Sequence, residues 1–99
     1  MALMEISVVP LGIGTPSVGD YIAALMEYLQ NNNIPYRLTD MGTVIEGSTA
    51  DLLNWARVLH ELPFRKGVQR VVTHIRIDDR RDKKVALGDK TASVEARLT

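Results

Sequence analysis

Two apolar stripes of period 3.6, set among short β-branched runs, constrain the fold of this chain more than any other feature. Val18, Tyr21, Ile22, Leu25, Met26 and Leu29 fall at i, i+3, i+4, i+7, i+8 and i+11. One face of a helix collects them all, so an amphipathic helix is predicted there. Ser17 stands in the N-cap position, Asp20 supplies a carboxylate in the first turn, and Asn31-Asn32-Asn33 ends the helix. A second stripe, Leu52, Trp55, Ala56 and Leu59, predicts a second helix capped by Ser48 or Thr49, with Asp51 in its first turn and Pro63 closing it.

The intervening segments read as strands. Met1–Pro10 is short, apolar and rich in Val and Ile, and a Gly/Pro loop, Leu11–Pro16, follows it. Pro35–Asp40 and Thr43–Gly47 form a hairpin around Met41-Gly42, with the glycine in the tight position. In Gln69–Asp78, Val71, Thr73, Ile75 and Ile77 alternate with Val72, His74 and Arg76, the period-2 pattern of a strand with one more polar face. Strand, helix, strand, strand, helix, strand is the order of an α+β ferredoxin-like βαββαβ sandwich. Its four-stranded antiparallel sheet carries both helices on one face. The expectation is one such domain over 1–99, with a charged segment and a short helix from Asp89 to Leu98, capped by Asp89, within 78–99. The other sheet face is left uncovered and too apolar for water alone, which predicts homo-oligomerisation through it as a homodimer or homotetramer.

Composition narrows the function classes. The 99 residues include 12 basic and 12 acidic side chains, for a formal net charge of zero. Nucleic-acid binding draws on a basic excess, and stacking aromatics of the RNA-recognition type are absent from the strand runs, so no nucleic-acid partner is expected. There is no cysteine. That excludes disulfides, thiolate metal sites and a Cys nucleophile, and it fits a reducing, cytoplasmic setting. The opening residues carry Glu5 and no basic stretch, unlike a signal peptide, and no apolar run approaches the ~20 residues that cross a bilayer.

Few residues bear chemistry. The Gly12–Ser17 loop joins a strand to a helix N-terminus but lacks the lysine and spacing of a P-loop. It is either a tight turn with a serine cap or a place where the Thr15 and Ser17 hydroxyls meet a ligand. Glu46 sets a carboxylate in an apolar strand, so it faces water, a partner, or a bound cation or amine. His60 and His74 lie on different elements without companion ligands, and no metal site is expected. A hydrolase using Glu46 and His74 is disfavoured, since no nucleophile–base pattern stands out, and a nucleic-acid role is less favoured still. Asp78–Lys84 reads as a solvated charge run, or as charges that pair across a subunit contact.

Three stretches in order, Ser7–Ser17 (SVVPLGIGTPS), Met41–Gly47 (MGTVIEG) and Arg70–Lys83 (RVVTHIRIDDRRDK), resemble the small thiamine-binding-protein family, long catalogued as a domain of unknown function. The resemblance runs from Met4 through Lys84. It implies a ferredoxin-like protein that forms dimers and tetramers and binds thiamine or its hydroxymethylpyrimidine moiety without catalysis or a cofactor, as a carrier or sensor. Carried onto this chain, it implies ligand contacts from Thr15, Ser17, Thr43 and Glu46. Strand alternation sets Thr43 and Glu46 on opposite faces, so both reach one pocket only across a bulge, unless Thr43 acts at the hairpin end. The alternative is a structural or regulatory homo-oligomer with no small-molecule pocket.

Overall fold

Strand β1 (Ala2–Leu11) organises the molecule, which the computed structural model describes over residues 1–98. Along it Ala2, Met4, Ile6, Val8 and Pro10 are buried, while Leu3, Glu5, Ser7 and Leu11 are half-buried and Val9 is exposed. This period-2 pattern divides the sheet into a core face and an open face. Helix α1 (Gly19–Asn31), β2 (Tyr36–Thr39), β3 (Gly42–Gly47), α2 (Thr49–Arg65), β4 (Arg70–Asp78) and α3 (Asp89–Ala96) follow. The sheet order is β2-β3-β1-β4 and every pairing is antiparallel, which is the ferredoxin-like arrangement. Register aligns Met4 with Ile45 on one side and Ile77 on the other. Even positions of β1 therefore share the core face with odd positions of β3 and β4.

The core forms where that face meets the helices. Met4, Ile45, Leu29, Leu52 and Leu59 are the most completely buried apolar side chains, drawn from β1, β3, α1 and α2. Both predicted helical stripes supply their buried members, Leu25, Met26 and Leu29 from α1 and Leu52, Ala56 and Leu59 from α2. Helix α1 ends as the asparagines predict, with Asn33 at φ 54° and the Ile34 N–H donating to the Leu29 carbonyl at 3.0 Å. Ser48 caps α2 by accepting the Asp51 N–H at 3.1 Å.

Four local expectations change. Ser17 does not cap α1. Val18 occupies that position without a side-chain cap, and the Ser17 N–H instead donates to Thr15 Oγ1 at 3.2 Å. Gly42 is not needed for a left-handed turn. Its place is set by proximity, since a Cβ there would stand 3.0 Å from the Ile6 carbonyl oxygen of β1. Pro63 does not close α2, which continues to Arg65 with the proline buried; the missing N–H leaves the i−4 carbonyl without its helical donor, but only one short turn follows. Gly88, at φ 91°, precedes α3 in place of an Asp89 cap, and the Asp89 carboxylate accepts the Ala86 N–H.

The open face is also not wholly uncovered. The row Asp78, Leu3, Glu46 lies across one end of it, by register. Residues after the charged run return over this row. Lys90 pairs with Asp78, and the Leu87 N–H donates to Glu46 Oε1 at 2.8 Å. Gly88 lies against the Arg37 guanidinium. The chain from Leu87 to Lys90 thus straps one end of the face and leaves the Ser7–Leu11 half uncovered.

Candidate ligand cavity

Unequal strand lengths open a notch beside β1. Its pairing with β3 ends at Ile6–Thr43, whereas its pairing with β4 continues to Leu11–Arg70. The hairpin turns back at Asp40-Met41, so β1 from Ser7 onward has no neighbour on the β3 side among the described residues. Helix α1 roofs this gap. The result is a cavity of about 640 Å³ between Ile6, Val8 and Thr43, the α1 residues Val18, Ile22 and Met26, and the hairpin tip. That volume lies in the range of small-molecule sites, and most of the side chains named are apolar, as such sites require.

Its polar groups are few and placed. Thr43 is only 5% exposed, the one buried polar or charged residue among those described. Its hydroxyl has no hydrogen bond to any described residue, and it lines the cavity. Since no buried side-chain oxygen or nitrogen among the described residues lacks a partner, the Thr43 hydroxyl opens to the cavity, where water or a ligand can meet it. Asp40 is the only charged residue lining the cavity among those described. At the rim Leu38 and Met41 are 53% and 83% exposed, apolar surface that the chain itself does not cover. Thr39 is already occupied, donating to the Gly42 carbonyl and accepting the Met41 N–H.

Of the four residues that the sequence resemblance singles out, only Thr43 lines this cavity. Thr15 and Ser17 are exposed in the loop before α1 and bond to each other. Glu46 lies on the other side of the sheet. With Thr43, Ile45 and Gly47 buried against the helices, regular alternation with no bulge turns Glu46 to the open face, where the Leu87 amide holds it. Asp40 and the notch escape sequence reasoning. The strand lengths are visible in the chain, but register, which turns their difference into a gap, is not.

The remaining candidates fall apart spatially. His60, on α2, has Nδ1 2.7 Å from Thr73 Oγ1 on the core side of β4 and its ring edge-on to Phe64. His74 is exposed on the open face. Register places Glu46 opposite Leu3 and His74 opposite Ser7. Four residues along and two strands across put their Cα atoms roughly 16 Å apart, outside direct hydrogen-bond reach. The charged run pairs within itself, Arg80 with Asp82 and Arg81 with Asp79. Arg81 bonding holds the Asp79 carboxyl below the usual carboxylate range, and Arg80 does the same for Asp82. No helix among the described residues is long and apolar enough to cross a membrane.

Comparison with known proteins places this geometry among relatives. A family described as "Thiamine-binding protein" matches residues 4–95. UPF0045 protein YqgV of Bacillus subtilis is 45% identical, with 99% of this chain and 98% of that one covered. A UPF0045 protein of Staphylococcus xylosus is 47% identical, covering 99% and 95%. Among solved structures, a hypothetical protein of Methanocaldococcus jannaschii superposes with a TM-score of 0.83 at 30% identity over 95% of both chains. A Thermotoga maritima protein provisionally assigned to thiamine biosynthesis or salvage shares the fold, with a TM-score of 0.77 at 17% identity, over 94% of this chain and 97% of its own.

Proposed function

The chain belongs to the thiamine-binding protein family, and we propose that it binds thiamine, or a compound carrying its hydroxymethylpyrimidine ring, in the notch beneath α1. The Thr43 hydroxyl, bonded to no described residue and open to the cavity, is the observation that carries this reading. An aminopyrimidine offers an exocyclic amine and ring nitrogens that need directional partners, and a hydroxyl can both donate and accept. The apolar walls receive the flat rings, and Asp40 at the hairpin tip supplies the negative charge that a thiazolium cation seeks. The Thermotoga maritima protein's assignment points the same way.

Binding proceeds without chemistry in this reading, because the chain presents a lone carboxylate at the cavity and its two earlier acid–base candidates stand far apart. Glu46, Thr15 and Ser17 have no part in the cavity. The protein works as a homo-oligomeric carrier or sensor, joined through the uncovered half of the open face where Val9 and Val72 pair across strands. Isothermal titration with thiamine and hydroxymethylpyrimidine tests the ligand. A saturable heat that Thr43→Val weakens about tenfold, the ordinary effect of losing one buried hydrogen bond, is expected. Absence of heat with both compounds would favour the structural or regulatory oligomer instead.

A further inference from the structure

A second concavity, on the other side of the α1 N-terminus, has the opposite character. It encloses about 410 Å³ between the loop after β1, the first turn of α1 and the link from α2 to β4. Tyr21 lines it while the next residue, Ile22, lines the apolar cavity, so the first turn of α1 separates the two. Lys66 and Arg70 both open into it, and no Asp or Glu does among the described residues.

These two cations differ from the four that sit in ion pairs. Arg76, Arg80, Arg81 and Lys90 each take a carboxylate. Arg70 has no hydrogen bond or ion pair to a described side chain. Lys66 has none either, and its ammonium stands 5.9 Å from the centre of the Tyr21 ring. That position orients the ammonium without neutralising it. The loop after β1 adds backbone amides to the lining. Gly12, at φ 72°, turns the chain out of β1 with nothing standing where a side chain would be. The amides of Gly12 and Ile13 bond to no described residue. In a molecule with no net charge, two cations without a carboxylate partner lining one concavity form a local positive field.

We propose that this cleft is an anion site that takes a phosphoryl group. A tetrahedral phosphate has enough acceptor oxygens to meet an ammonium, a guanidinium and backbone amides at once, and the guanidinium binds it in bidentate fashion. A carboxylate would use fewer of these donors. The site draws on none of the residues assigned to the apolar cavity, so it stands whether or not that cavity holds thiamine.

The test uses inorganic pyrophosphate on the full chain at low ionic strength, followed by amide NMR and by isothermal titration. Saturable binding is expected, with the largest shifts at the Gly12 and Ile13 amides. Lys66→Ala and Arg70→Ala should each weaken it about tenfold, the scale of one charge-assisted hydrogen bond. Both side chains are exposed, and unchanged circular dichroism confirms that the variants fold. No saturable response up to about 10 mM, a concentration at which even millimolar affinity is visible, overturns the proposal. So does binding that survives both substitutions or shifts amides elsewhere. Parallel titration with thiamine separates the two sites. Pyrophosphate binding without thiamine binding fails the cavity reading alone, and the converse fails the cleft alone.

Discussion

Gly47 shows how one residue fixes the distance between layers. It is buried on β3, and a Cβ there would lie 2.7 Å from Cζ3 of the Trp55 ring. A ring wedged between a strand and its own helix has no flexible end to move, so the strand or α2 must shift. Gly47→Ala is expected to lose about 1–3 kcal/mol, the usual cost of overpacking a core. Urea unfolding followed by the fluorescence of Trp55, the only tryptophan, measures it directly, and an unchanged midpoint would show that the layers are less tightly joined than this contact implies. Glu46 illustrates the opposite case, a residue whose oddity in the sequence was real but whose partner was invisible. A carboxylate in an apolar strand needed something to bond, and it is the Leu87 amide, 41 positions away. Glu46→Ala should cost about 1–2 kcal/mol of local order, the worth of a charged hydrogen bond. Faster hydrogen exchange at Leu87, with thiamine affinity unaltered, is the expected pattern. A loss of thiamine affinity would return Glu46 to the ligand.

At the level of elements, the charged run after β4 is held by short-range pairs and behaves accordingly with pH. Asp79 is lowered first by its hydrogen bond from Arg81 and Asp82 by its hydrogen bond from Arg80, both at the protein surface. A carboxylate whose folded value lies below its unfolded one stabilises the fold at pH above the unfolded value, and that contribution is lost as pH falls through the lowered one. Both pairs should therefore persist at neutral pH and release in strong acid. Carboxyl-carbon NMR titration is expected to find the two midpoints below that of aspartate in an unstructured peptide. The gap should narrow in high salt, because exposed pairs are screened. Equal midpoints in low salt would mean the run is unpaired in solution.

The same scale shows what could be read from sequence. Period and alternation located both helices and all four core strands, since burial on one side of each element leaves a local signature. Alternation even set Thr43 and Glu46 on opposite faces. The apolar cavity depends on where the hairpin aligns along β1, and the strap depends on a contact between distant segments. Neither leaves a local pattern. The Ser17 cap failed for a related reason, whereas the Ser48 cap holds. Ser17 has the right chemistry for an N-cap, but the loop geometry before α1 turned its amide toward Thr15.

For the whole molecule, the proposed assembly turns on the open sheet face. Its strapped end is closed by Glu46–Leu87 and Asp78–Lys90, and Glu5 pairs with Arg76 at 3.4 Å, so part of its charge is neutralised within the chain. The other half presents Val9 and Val72, cross-strand neighbours each 36% exposed. A face of this kind gains by meeting an apolar surface, and a second copy brings an identical one related by two-fold symmetry. In such a pairing a charge placed at Val72 would be buried twice in each dimer with no opposite partner. Val72→Lys is therefore expected to convert the oligomer to monomers at micromolar concentration in sedimentation velocity. Its secondary structure should be retained, because a half-exposed strand position carries little of the core. Glu27→Lys, on the exposed side of α1 away from this face, should leave the mass unchanged. If Val72→Lys sediments like the wild type, the association runs through another surface. If the wild type is itself monomeric, the proposed homo-oligomerisation through this face is wrong.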